Sequence, residues 1–457
     1  MLPPGPRGFR DVLRAFRAFT RDPDGQMLAL AEEYGPVASL RIGKDLVVVV
    51  SDPELVGELL LDKEGACIKD SVTRSLTQVL GKGLLTSEGD LWKRQRRLIA
   101  PSLGKKQIAS YADAMVRHAE LFARGLIDGE RRDLHDDMSA VTLAIVVETL
   151  FGSELGGGHA NVGLVVDQYM EDFHALVHSW RRLFPDWFPF PERRRGARAV
   201  AELDDLVLGI VKAKRASGAL GDDLLSRLLA ARDEESAERG MSDQQLRDEV
   251  VTLFMAGHET TANALAWALL LLAEHPEVDQ RVAREAEEVL GDRAARADDL
   301  GALRVTRAVI DETMRLYPPA HIIGREPVRE LRLGGYAIPP GANVIVSPWA
   351  MHHDRRFFAD PEAFRPDRWL DGSTEGLPRY AYLPFGGGPR ICVGNHFAIM
   401  EAVLVLATIV RRARFERVSR APVPAQPAIT LRPAEGVPLR VALRARTGRP
   451  PEPRPDA

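Results

Sequence analysis

Cys392 stands in a glycine-dense run, Phe385-Gly386-Gly387-Gly388-Pro389-Arg390-Ile391-Cys392-Val393-Gly394, just ahead of an apolar helical pattern that begins near His396. A helix N-terminus offers free N–H groups and the positive end of the helix dipole, and both favour a thiolate. Glycines let backbone lie against a flat ligand and bring N–H groups to sulfur, while Arg390 supplies a cation for an anionic substituent. Taken alone, the cysteine reads as a buried structural thiol in a glycine-rich turn, since buried thiols are common. A second group lies in Ala256-Gly257-His258-Glu259-Thr260-Thr261. Gly257 removes a side chain, and the Thr260 hydroxyl can bond back to the Ala256 carbonyl, which predicts a locally opened helix with a small polar groove. Glu259 is a carboxyl suited to proton transfer beside that groove. His258-Glu259 does not continue into a zinc-protease helix, because Ala262 stands where the second His is required.

Two further sets are spaced for one helix face. Trp92 and Arg96, in Trp92-Lys93-Arg94-Gln95-Arg96, are four residues apart, and Glu312 and Arg315 are three apart. A carboxylate and a guanidinium that are both buried must pair or cost several kcal/mol. On a surface the same spacing is an ordinary ion pair.

The elements that must position these groups are mainly helical. From about 105 to 320, apolar residues recur at three and four spacings, as in 143–151 and 203–212. Ser242-Asp243-Gln244-Gln245 is a capping-box signature, and the pattern then runs without proline to His275-Pro276. The expected helix has about 32 residues and spans roughly 48 Å, long enough to cross a domain. Val37–Ile42 and 46–50, joined by Gly43-Lys44-Asp45, read as a hairpin, and little else reads as strand before residue 320. After Pro318-Pro319, repeated Gly and Pro punctuate short apolar runs that predict small sheets and loops, with one helix returning at about 396–412. Residues 446–457, rich in Pro and Arg, read as a disordered tail after a single domain over 1–445.

With 457 residues, 45% of them hydrophobic, the chain can bury a large core, and a net charge of −4 gives no reason to expect nucleic-acid binding. Two cysteines, Cys67 and Cys392, are too few for a disulfide framework or a paired-cysteine metal site. The start, Met1-Leu2-Pro3-Pro4-Gly5-Pro6-Arg7, has neither a signal-peptide core nor the roughly 20 apolar residues of a spanning helix, so the reading is cytoplasmic without a transmembrane anchor.

The cysteine run matches Phe-x-x-Gly-x-Arg-x-Cys-x-Gly at Phe385, Gly388, Arg390, Cys392 and Gly394, and resembles the haem-binding loop of the cytochrome P450 family. Glu312-Thr313-Met314-Arg315 resembles the family's Glu-x-x-Arg pair, and residues 256–261 its oxygen-activation segment. The resemblance implies a mainly α fold with small β sheets (α+β), a triangular helical body holding haem b between the long helix and the cysteine loop. It implies Cys392 as axial thiolate and metal ligand, with Trp92, Arg96, Ala256, Gly257, Arg325, Phe385, Gly386, Arg390 and Gly394 around the haem. Thr260 and Glu259 are implied to handle protons during oxygen activation. Arg368, in Pro366-Asp367-Arg368-Trp369, is the implied third member of a buried ion-pair triad with Glu312 and Arg315; Asp367 and Trp369 replace the family's usual Glu and aromatic.

The implied activity is monooxygenation: one atom of dioxygen enters a lipophilic small molecule by hydroxylation or epoxidation, with electrons from NAD(P)H through separate carriers. The donor implied is an acidic ferredoxin or flavodoxin with its reductase, docking on the basic run Lys93, Arg94, Arg96, Arg97, Lys105 and Lys106. The chain ends too soon after the cysteine loop to carry a fused flavin reductase. A peroxide-driven peroxygenase or isomerase is the rival within enzymes, and a haem-based binding or sensing protein the rival outside them; the retained Glu259 and Thr260 favour oxygen activation. Fatty acid, terpenoid, steroid, carotenoid and polyketide substrates all stay open. Trp180, Phe184, Trp187, Phe188 and Phe190 give one segment high aromatic density, as a substrate lid, a membrane contact or plain core. Cys67 takes no role.

Overall fold

The computed structural model of the chain describes residues 1–42, 45–62, 64–152, 191–218, 220–233 and 240–445. The expected aromatic segment around Trp180–Phe190 and the expected disordered tail lie outside the described residues. The chain opens with α1 (Phe9–Arg21) and α2 (Pro23–Tyr34), then the hairpin β1 (Val37–Ile42) and β2 (Asp45–Val50), and α3 (Pro53–Leu61). None of these three helices was expected, yet α2 and α3 carry local signals: Asp22 and Asp52 cap their first turns and a proline opens each. The first strand outside the hairpin, β3 (Cys67–Lys69), is followed by α4 (Gly89–Ile99), α5 (Ala112–Gly125), β4 (Arg131–Asp133), α6 (Leu134–Phe151) and α7 (Pro191–Ser217).

Next comes α8 (Asp243–Glu274), 32 residues long, and its capping box is as expected: Gln245 N–H donates to Ser242 Oγ and Ser242 N–H to Gln245 Oε1, both at 3.2 Å. From Ala262 to Leu272 it is buried throughout, packed on α6, α9 (Pro276–Leu290), α10 (Arg304–Leu316) and the C-terminal α11 (Asn395–Arg412), in one apolar cluster that also takes in α5. A second apolar cluster joins the first half of α8 to α7 and residues 76–103. This is the mainly helical body.

The strands after residue 320 are β5 (Ile323–Pro327), β6 (Leu331–Leu333), β7 (Tyr336–Ile338) and β8 (Asn343–Val346), then β9 (Ala413–Arg417), β10 (Ala425–Pro427), β11 (Leu431–Pro433) and β12 (Pro438–Leu443). They form small separate sheets, the largest in the order β1-β2-β8-β5-β3. In it β2 runs parallel to β8, Val47 opposite Asn343, and β3 antiparallel to β5, Lys69 opposite Arg325. The three-residue strands β3 and β4 were not expected; their partners lie far along the chain, so no local alternation marks them.

Candidate active site

A cavity of about 470 Å³ lies between α8 and the cysteine loop. The loop is shaped by its glycines. Gly386 and Gly388 have φ of +70° and +66°, and a side chain at Gly388 would run into the Leu60 carbonyl. A tight turn over Gly388–Arg390 returns the chain so that Cys392 N–H donates to the Phe385 carbonyl at 3.0 Å, and Gly394 then caps α11. Cys392 lines the cavity. The surrounding protein pushes its thiol pKa up, while a Gly394 N–H hydrogen bond and the Arg96 charge act in the opposite direction.

α8 supplies Ala256, Gly257, Glu259, Thr260 and Thr261 to the same cavity. Thr260 Oγ1 donates to the Ala256 carbonyl at 2.7 Å, as its spacing suggests, at a turn that stays within the continuous helix α8. Gly257 serves packing: a Cβ there would come within 2.9 Å of Val146 on α6. Glu259 does not face Thr260 by hydrogen bond; its Oε1 accepts from Thr430 Oγ1 at 2.6 Å.

One edge of the cavity is cationic. Trp92 and Arg96 reach it from α4, with Arg96 donating to the Ile391 carbonyl at 2.8 Å, and Arg390 lies 4.4 Å above the Trp92 ring and pairs with Glu88. Arg325 lines it from β5, and Lys69, which the sequence did not single out, faces Arg325 across the sheet. Like charges directly opposite each other destabilise a strand pair. Burial, then Arg390 and Arg325, bring the Lys69 amine down to about 7. Glu259 is the sole carboxylate among the described residues lining the cavity. An apolar cavity with a thiol on one wall and surplus buried cations at one edge fits a flat, metal-bearing ligand with anionic substituents.

Glu312, Arg315 and Arg368 come together away from the cavity and are almost wholly buried. Arg315 donates to both Glu312 oxygens at 3.0 Å and Arg368 Nε to Oε1 at 3.0 Å. The remaining Arg315 N–H groups bond the carbonyls of His352, Pro361 and Ala363. The two motif departures have partners of their own: Trp369 Nε1 donates to Glu312 at 2.9 Å, and Asp367 takes a bidentate bond from Arg281. In the basic run, Lys93, Arg97, Lys105 and Lys106 are exposed, whereas Arg94 turns inward to the Gly240 carbonyl and Asp233.

The sequence profile of the cytochrome P450 family matches residues 3–438. The chain belongs to the cytochrome P450 family. It is 35% identical over 414 residues to cyclooctatin synthase of Streptomyces melanosporofaciens, covering 89% of this chain and 88% of that protein. It is 35% identical over 398 residues to cyclooctat-9-en-7-ol 5-monooxygenase of the same organism, covering 86% and 85%. Pentalenene oxygenase of Streptomyces avermitilis is 32% identical over 389 residues, covering 83% and 84%. As a cytochrome P450 the chain is a haem-thiolate monooxygenase that acts on lipophilic small molecules with dioxygen as co-substrate. The helical body with small sheets is the fold of that family. Among the described residues no helix is long and apolar enough to cross a membrane.

Proposed function

We propose that Cys392 is the axial thiolate ligand of the haem and that Lys69, Arg96, Arg325 and Arg390, with Trp92, hold its carboxylate edge. Ala256 and Gly257 on one side and Phe385, Gly386 and Gly394 on the other would line its site. When bound, the haem activates dioxygen so that one atom enters the substrate and the other leaves as water with two electrons and two protons. Thr260 holds a hydroxyl at the α8 side of the cavity, where it can keep a hydrogen bond or a water in place, and Glu259 is the carboxyl that carries protons to it. The apolar remainder, including Leu76, Leu80, Leu84, Val146 and Ile429, excludes water and binds the substrate by its shape.

The substrate proposed is a terpenoid hydrocarbon or alcohol, in keeping with the names of the bacterial relatives and the apolar lining. An external acidic ferredoxin or flavodoxin supplies electrons at the surface bearing Lys93, Arg97, Lys105 and Lys106. The observation that carries this reading is the placement of Cys392 and Thr260 on one cavity whose edge is crowded with cations. The test is the carbon monoxide difference spectrum of the dithionite-reduced protein, recorded for wild type and Cys392→His. A strongly red-shifted Soret band in wild type that is lost in the variant is expected; the ordinary histidine-haem position in wild type would remove Cys392 as the ligand.

A further inference from the structure

Thr430 belongs to none of the motifs above, yet it is the group that touches Glu259. Its hydroxyl donates to Glu259 Oε1 at 2.6 Å and accepts from Asn263 Nδ2 at 3.1 Å. Asn263 is fully buried on α8, one turn beyond Glu259, and its Oδ1 faces His135 Nε2 at 2.9 Å, near the start of α6. With Nδ2 committed to Thr430, the amide oxygen must be the acceptor, so His135 Nε2 carries the hydrogen. Every donor in the row therefore points from His135 toward Glu259. Because its acceptor position is taken by Asn263, Thr430 has its proton directed at the carboxylate.

The loop that carries Thr430 is itself pinned. His321 Nε2 bonds the Ala428 carbonyl at 3.0 Å, and its Nδ1 pairs with Asp24 at 2.8 Å in a wholly buried contact. Ile429, between these two fixed points, lines the cavity. Nothing in the α8 turn alone would select one rotamer for Glu259, whereas a hydroxyl delivered by a fixed loop does.

We propose that Thr430, held by Asn263 and His135, is the positioning residue for Glu259 in the monooxygenase reaction, keeping its carboxylate docked beside the cavity between proton transfers. The proposal rests on the reading of Glu259 as the proton carrier. No proton travels along the row, since an amide cannot relay one without leaving its amide form. The carboxylate takes a proton from water and gives the same proton up at the Thr260 side, and the row restores its position afterwards.

The experiment compares wild type, Thr430→Val, Thr430→Ser and Glu259→Gln as holoproteins, with haem content normalised by the carbon monoxide spectrum. Crystal structures report the Glu259 position, and turnover with NAD(P)H, a surrogate ferredoxin and reductase, and pentalenene as probe reports hydrogen peroxide released per NAD(P)H and the solvent isotope effect. Expected are a displaced Glu259 side chain, a several-fold rise in peroxide and a larger isotope effect in Thr430→Val, wild-type behaviour in Thr430→Ser, and a defect in Glu259→Gln at least as large. A defect in Glu259→Gln with Thr430→Val indistinguishable from wild type would overturn the positioning role alone. Glu259→Gln indistinguishable from wild type would overturn the proton-carrier reading and the inference with it.

Discussion

Around Glu312, two guanidiniums, an indole N–H and the Arg365 backbone N–H converge on one carboxylate, and the spare N–H groups of Arg315 go to three backbone carbonyls. Around Lys69 the arrangement is reversed: Arg325 stands opposite it across the sheet, Arg390 is near enough to depress its pKa, and Glu88 is the carboxylate that pairs with Arg390. Both groups are buried charge, but the first spends its donors on partners within the protein, whereas the second sets Lys69, Arg325 and Arg390 beside a cavity with Glu88 and Asp70 near them. Burying like charges together costs stability unless a counter-charge arrives. On the proposed reading the first cluster serves the fold and the second receives an anionic ligand. Whether the cations face a cavity, more than their burial, separates the two groups.

The widest test of that difference removes a cation from each. Arg315→Ala should cost about 3–5 kcal/mol by leaving Glu312 short of donors and three carbonyls bare, read as a collapse of denaturant stability and holoprotein yield. A variant that unfolds like wild type would end the distinction. Lys69→Met should act the other way: the apoprotein keeps or gains stability, while haem transfer to an acceptor globin becomes roughly tenfold more favourable, the worth of one charge-assisted hydrogen bond. Equal losses in both variants would mean that the Lys69 cluster is structural too.

The pH dependence sharpens the same contrast. Lys69 titrates at about 7 in the folded protein, below the ordinary lysine value, so over that interval the unfolded chain binds more protons. Its penalty is full below about pH 7 and fades toward pH 10, and apoprotein stability should rise across that window by at most about 1.4 kcal/mol per pH unit. Chemical denaturation of wild-type and Lys69→Met apoprotein at several pH values checks this, the variant giving the flatter profile. The smallest effect expected is from Trp369→Phe, about 1 kcal/mol for one hydrogen bond to a carboxylate that keeps its other donors, measured by thermal unfolding.

What could be read in advance follows the same division between local and distant causes. The α8 capping box, the Thr260 back-bond and the glycine turn before Cys392 are written in neighbouring residues, and the sequence announces them. Helices α2 and α3 carry local signals in Asp22-Pro23 and Asp52-Pro53, whereas α1 has Gly8 at its start and no side-chain cap. Lys69 could not be seen, because its meaning comes from a three-residue strand paired with Arg325 from the far end of the chain. Thr430 was hidden for a similar reason: its partners Glu259, Asn263 and, beyond them, His135 are brought to it only by the finished fold. Gly257 is legible as a missing side chain, but that its absence lets α6 close in on α8 comes only with the fold.

The parallel pairing of β2 with β8 has a consequence for synthesis. Val47–Val50 leave the ribosome early, but the strand that covers their open edge, Asn343–Val346, emerges only after most of the helical body has been made. Until then a run of four valines offers unpaired N–H and C=O groups to any neighbouring chain. The nascent hairpin is therefore where chaperone shielding matters most, and an incomplete chain stopped before residue 343 would carry an adhesive edge that the finished enzyme does not.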